Sequence, residues 1–266
     1  MEMYKLVAID CDGTLLTDSK ELTKRTINTI KKASQKVKIV LATARSFYRV
    51  EEYLEKMNLL NDEQYTICFN GGSVINNGRK EELDSHTFRN DEIKQLIQLS
   101  RKFNTQIMLY AYNCLIVEEI PEKFINNKKI NFEITKMEKL DLEEQKIYKI
   151  VFINKPSKIT DMRKKLSKQI LDSFEVSSSV PDYIEFVPKG ITKNKALENL
   201  CKKLNIGKNE VIAIGDAEND IQMLKFAGMG IAMGNADEKT KSISDYITDS
   251  NNNDGVAKAL EKFLKF

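Results

Sequence analysis

Histidine is nearly absent from this 266-residue chain: His86 is the only one, and it lies in no motif. A histidine-phosphatase mechanism therefore has no support, and surface or packing duty is expected of His86. The four cysteines, Cys11, Cys68, Cys114 and Cys201, have neither paired nor metal-ligand spacing. Three of them fall in or against apolar runs, where a free cysteine acts as a small hydrophobe, and a reducing, cytoplasmic compartment is expected. Cys11 lies between two aspartates, so a reactive thiol is one reading and an inert filler the other. No apolar run approaches the ~20 residues of a membrane helix, and the N-terminus lacks the layout of a signal peptide. Net charge is only +3 with scattered lysines, which argues against nucleic acid or an anionic membrane as partner. No Gly-x-x-x-x-Gly-Lys-Ser/Thr loop exists, so a kinase of that kind is excluded. Gly228-Met229-Gly230-Ile231-Ala232-Met233-Gly234 lacks dinucleotide-loop spacing and follows a helical pattern rather than a strand.

What the chain does contain is a set of apolar runs that end in chemically useful residues. Leu6-Val7-Ala8-Ile9 runs into Asp10-Cys11-Asp12-Gly13-Thr14. A second run, from Val37 to Ala42, ends at Thr43, and a third, from Ile67 to Phe69, ends at Asn70-Gly71-Gly72. The fourth, from Val211 to Ile214, ends at Gly215-Asp216-Ala217-Glu218-Asn219-Asp220. Short apolar runs closed by turn signals read as buried strands of a parallel sheet. Open α/β sheets place their ligands at the carboxyl ends of such strands. Asp10, Asp12, Thr43, Asn70, Asp216 and Asp220 are thus expected to share one crevice.

Hydrophobic residues at 41% and charged residues at 30% fit a soluble globular chain, and the length suffices for one large or two modest domains. Helical spacing over residues 22–33, 47–54, 195–204, 221–226 and 256–264 alternates with the strands, a βαβ rhythm. The middle reads differently. A helix opens at Asn90, a hairpin turns at Tyr112-Asn113, and a helix over 158–171 precedes a further strand pair. The expected fold is α/β: a doubly wound parallel-sheet (Rossmann-like) core of residues 1–82 plus 188–266, with residues 83–187 inserted as an α+β cap.

The Asp-x-Asp-Gly-Thr signature with the later acidic loop resembles the haloacid dehalogenase superfamily of phosphatases, most closely the Cof-type branch with an inserted α/β cap. The resemblance implies a Mg²⁺-dependent hydrolase of small phosphomonoesters, with a phosphorylated sugar as the leading substrate. Asp10 would be the nucleophile and Asp12 the general acid and base. Gly13 would turn the backbone so that its N–H groups meet phosphate oxygens. Asp10, Asp216 and the Asp12 carbonyl would hold Mg²⁺, with Asn219 and Asp220 holding or orienting a metal water. Asn219 and Asp220 also suit an ordinary helix N-terminus.

Thr43 would bind phosphate at the start of a helix. The family's usual Thr-Gly-Arg is here Thr43-Ala44-Arg45, and Arg45 is expected in a first helical turn, either compensated by bound phosphate or simply solvated. The family pattern aligns Lys193, rather than Lys195, with its phosphate-binding lysine. Asn70 and Gly71 would line the site with Ala44 and Arg45. Asn252 and Asp254-Gly255-Val256 match a late family segment to which no chemistry is assigned. The ion-pumping relatives are excluded for want of membrane spans. A phosphomutase on the same site and a metabolite-binding regulator remain as alternatives, and cap residues are expected to select the leaving group.

Overall fold

The computed structural model describes residues 4–120, 133–139, 141, 144–178 and 180–265. The chain divides into two compact units. One comprises Met1–Arg45, Val50–Asp84 and Thr192–Phe266; the other comprises Ser46–Arg49 and Ser85–Ile191. The grouping of Ser46–Arg49 with the second unit has no signature in the sequence pattern; there Tyr48 meets Tyr112 edge-on, 5.6 Å between ring centroids.

The strands run β1 (Leu6–Asp10), β2 (Lys38–Ala42), β3 (Tyr65–Cys68), β4 (Ser73–Asn76) and β5 (Glu81–Ser85). They continue as β6 (Gln106–Tyr110), β7 (Cys114–Val117), β8 (Glu133–Lys136), β9 (Lys149–Ile153), β10 (Phe174–Ser177) and β11 (Tyr183–Pro188). The last three are β12 (Val211–Gly215), β13 (Met229–Ala232) and β14 (Tyr246–Ile247). The sheet of the first unit has the order β14-β13-β12-β1-β2-β3-β4-β5. It is parallel from β14 through β3, and β4 turns back antiparallel on β3. The fold is α/β with a Rossmann-like core.

β1 is buried along its whole length because it has a paired strand on each side and apolar cover on both faces. Leu6, Ala8, Val40 and Ala42 face the helix Lys193–Lys203, whose Ala196, Leu197, Leu200 and Cys201 complete that core. Each large aliphatic side chain buried this way stabilises the fold by about 1.5–3 kcal/mol. The helices Lys24–Ala33 and Gly255–Leu264 are joined through Glu261, which accepts from Arg25 and Thr29. Thr23 and Thr192 cap the helices that follow them by accepting from Thr26 N–H and Lys195 N–H.

The second unit is a sheet of order β10-β11-β9-β6-β7-β8, antiparallel except where β8 joins β7. Ile107, Leu109, Ile150, Phe152, Ile184 and Phe186 point to one face and pack with the helices Asn90–Lys102 and Pro156–Lys165. The single helix expected over 158–171 is two, Pro156–Lys165 and Lys168–Ser173. Leu166 between them is extended, and Ser167 starts the second helix by accepting from Ile170 N–H.

Two local expectations near the site are also corrected. Residues 43–46 are not helical; a single 3-10 turn starts at Phe47 and the α-helix only at Glu51. The third strand stops at Cys68, because Phe69 and Asn70 are left-handed (φ 52° and 57°) and turn the chain away from the sheet.

Candidate active site

Between β12 and β1 the winding of the sheet reverses, since the chain moves outward through β2 and β3 on one side and through β13 and β14 on the other. Such a reversal opens a crevice at the strands' carboxyl ends. Asp10 is the last residue of β1, and Asp216 follows the last residue of β12. The carboxylates of Asp10, Asp216 and Asp220 each offer an oxygen within 4.8 Å of the others.

Lys193 sits among them. Its ammonium, 1% exposed, reaches Asp10 Oδ1 at 2.5 Å and Asp220 Oδ1 at 2.8 Å. Burial disfavours its charge, but Asp10 and Asp220 outweigh that and hold the lysine protonated, above its ordinary range. Lys195 instead lies on the outer face of the same helix beside Glu198. Burial and the neighbouring Asp220 push Asp10 upward, and the same two causes push Asp216 up to about 6. One ammonium, paired with Asp10 and Asp220, stands among three carboxylates, so the cluster is short of positive charge.

Asp220 is expected to hold or orient a metal water, with an ordinary helix cap as the alternative. It does stand at the N-cap of the helix Ile221–Phe226, but its carboxylate makes no cap bond there. Oδ2 turns back to accept from the N–H groups of Asp216 and Ala217, at 3.1 and 3.2 Å. With Oδ1 on Lys193, both oxygens are engaged in shaping the acidic loop. Gly215 is required there, since a Cβ would lie 2.6 Å from that of Asp220. Asn219 points elsewhere: its amide donates to Asn70 Oδ1 at 3.2 Å.

The Asp12 side chain is apart from the cluster. Arg45 grips it with two parallel bonds, Nε to Oδ2 at 2.7 Å and Nη2 to Oδ1 at 2.6 Å, and Lys20 adds a third at 2.9 Å. Burial works against the ionised form, yet these cations outweigh it and hold Asp12 well below the usual carboxylate range. Arg45 is therefore neither in a helical turn nor simply solvated; its side chain is 13% exposed and committed to Asp12. Cys11, between the two aspartates, is fully buried, and burial pushes its thiol upward, which makes it an inert filler.

Gly13 has φ +86°, and a Cβ there would meet Asp216 Oδ2 at 2.4 Å, so the turn needs glycine on both counts. Thr43 is buried, its hydroxyl accepts from Arg45 N–H at 3.1 Å, and its backbone is tied to Ile67 and Asn70. Ala44 follows it, half-buried. Gly71 (φ +109°) packs so closely on Thr192, the residue before Lys193, that a Cβ would lie 2.4 Å from its carbonyl oxygen.

Sequence reasoning missed Lys20 and the role of Thr14. Lys20 stands alone in a loop and offers no signal. Thr14 was part of the opening motif, and its hydroxyl donates to Asp216 Oδ1 at 2.8 Å.

The sequence matches the haloacid dehalogenase-like hydrolase family over residues 7–260. This chain belongs to that family. It is an enzyme, a phosphomonoester hydrolase. Among its relatives is the 5-amino-6-(5-phospho-D-ribitylamino)uracil phosphatase YcsE of Bacillus subtilis, 33% identical across 98% of this chain and 96% of that protein. The phosphatase of the same designation, YitU, also of Bacillus subtilis, is 27% identical across 97% of each. The crystal structure of a haloacid dehalogenase-like hydrolase from Bacteroides thetaiotaomicron superposes with a TM-score of 0.86 at 30% identity, covering 97% of this chain and 99% of that one. Among the described residues of this hydrolase, no helix is long and apolar enough to cross a membrane.

Proposed function

We propose that this hydrolase is a Mg²⁺-dependent phosphatase of small phosphorylated metabolites that works through an aspartyl-phosphate on Asp10. The observation that carries this reading is the set of buried Asp10 and Asp220 with half-buried Asp216 around Lys193, short of positive charge and built only of hard oxygen donors. That donor set fits Mg²⁺, held by Asp10, Asp216 and the Asp12 carbonyl, while Asp220, already engaged at both oxygens, keeps the loop and Lys193 in place. Mg²⁺, when bound, supplies charge to the phosphate and orients it for in-line attack.

The chain's own residues supply the rest. Asp10 attacks phosphorus, and Lys193 offsets charge on the phosphate oxygens. Thr43 and the turn at Gly13 position the phosphate, with Ala44, Arg45, Asn70 and Gly71 lining the site. Asp12 protonates the departing alkoxide oxygen and then takes a proton from the water that hydrolyses the acyl phosphate. In its bidentate pair with Arg45 the Asp12 carboxyl is held ionised, the form suited to base duty. Acid duty requires the substrate to draw the cations of Arg45 and Lys20 away and Asp12 to take up a proton from solvent before the bond to the leaving oxygen breaks.

Residues 83–187 would serve as the cap that selects the leaving group. The two relatives from Bacillus subtilis are named for a substrate whose phosphate sits on a ribityl chain. This supports an alkyl phosphate on a sugar or polyol as the substrate class.

Phosphate release from a panel of phosphorylated metabolites tests the reading. Turnover is expected with Mg²⁺, with Ca²⁺ inhibiting because the larger ion relaxes octahedral geometry; full turnover in chelator would overturn it. A second expectation concerns Asp12→Asn. Sugar phosphates, whose alkoxides need a proton, should lose about 10²–10⁴-fold in the phosphorylation step, and aryl phosphates less. Single-turnover kinetics read both, and equal losses would remove the acid role.

A further inference from the structure

The segment Gly234-Asn235-Ala236 and the run Asn251-Asn252-Asn253 have no part in the chemistry above, yet they hold the catalytic turn. Asn235 Nδ2 donates to the Gly13 carbonyl at 2.8 Å across 222 positions of sequence. Its Oδ1 accepts from Asn251 N–H at 2.9 Å, which fixes the amide's orientation. Asn251, buried, spends its own amide on the Leu16 carbonyl and on Asp18 Oδ1, both at 3.0 Å. Asn252 closes a two-way pair with Asp18: Nδ2 donates to Oδ2 at 2.8 Å, and Oδ1 accepts from Asp18 N–H at 3.1 Å.

The holding segment is itself anchored. Met233 N–H donates to the Gly215 carbonyl, next to Asp216, and Gly234 N–H donates to the Asp249 carbonyl. One rigid piece therefore touches both the strand end that carries Asp216 and the turn that follows Asp10.

We infer that Asn235 is a positioning residue for phosphate binding and transfer, acting through the Gly13–Thr14 peptide. The inference rests on the phosphatase reading above. A trans peptide is planar, with its C=O and N–H pointing in opposite directions. Anchoring the Gly13 carbonyl on Asn235 therefore fixes the Thr14 N–H, which donates to no described residue. Thr14 is pinned from its other end by its hydroxyl bond to Asp216. A turn held at both ends presents a preset N–H to a phosphate oxygen, and a donor set in advance needs no reorganisation as charge develops. Asn235 is exposed, so its truncation leaves no cavity.

The test is Asn235→Ala in the full chain with Mg²⁺, and Asn235→Ser should the alanine variant fail to fold. Melting temperature should stay within a few degrees of wild type. The inhibition constant of inorganic phosphate should rise and kcat fall, together lowering kcat/KM by about 10-fold. A purely structural role would reduce the folded fraction and leave the phosphate constant of the folded molecules unchanged. Because Asn235 and Thr14 act on one peptide, the loss in Asn235→Ala/Thr14→Val should differ at least threefold from the product of the single losses. Wild-type phosphate affinity and kcat in a folded Asn235 variant, or strict multiplicativity of the two losses, would overturn the role. Absence of Mg²⁺-dependent phosphate release from the wild-type chain would instead sink the phosphatase reading itself.

Discussion

Asp10→Asn should lower turnover by about 10⁴-fold or more while leaving the fold intact. An amide has nearly the shape of a carboxylate but cannot form the acyl-phosphate bond. The fold should tolerate the change because Asp10 belongs to a buried set with more negative than positive charge, where burial and Asp220 already disfavour its ionised form. Lys193 would keep Asp220 as its partner. Steady-state rates and thermal melts on one preparation check both halves. Mass spectrometry of wild-type protein quenched during turnover should find phosphate on Asp10; phosphate on another residue would refute the assignment.

Lys193→Met should be the most damaging single change to stability in the site. It removes the cation between two buried carboxylates, and breaking a buried pair from one side typically costs about 3–5 kcal/mol. For a chain of this size that corresponds to a melting temperature lower by roughly 5–20 °C. Activity should fall with it, since the charge proposed to offset the phosphate oxygens is gone. Added Mg²⁺ should recover part of the stability, because it returns positive charge to the same carboxylates, but not the activity. Lys195→Met, two positions along and exposed beside Glu198, should leave the melt unchanged. Equal melts for the two variants would show that the burial of Lys193 has no energetic consequence.

Most of the core was legible in local pattern. The apolar runs 6–9, 37–42 and 211–214 each became a parallel strand of one sheet, because a strand buried on both faces needs a continuous apolar stretch, whatever its partners. The middle of the chain reads in a different rhythm, and the hairpin expected there formed between Gln106–Tyr110 and Cys114–Val117. Less legible were the places where short-range geometry departs from periodicity. The helix expected over 158–171 broke at Leu166, and the residues after Thr43 form a loop where a helical turn was expected. In the first, Ile159, Met162, Leu166 and Ile170 continue the helical spacing through the break, so period alone cannot locate it; in the second, Thr43-Ala44-Arg45-Ser46 carries no apolar period at all.

The sequence by itself determined which residue types stand at the strand ends: Asp10 and Asp216 follow directly from where two apolar runs stop, and Gly13 from the tight turn they require. Tertiary structure decided what those residues do to one another. Arg45 lies 33 positions from Asp12, Lys193 lies 183 from Asp10, and Asn235 lies 222 from Gly13. Nothing in local pattern says that Arg45 grips a carboxylate, that Lys193 is buried while Lys195 is not, or that Asn235 bonds the turn that follows β1. The reason is physical. Strand and turn formation depend on near neighbours along the chain, whereas a charge's partner and its distance from water are set only when the sheet brings distant segments to one edge.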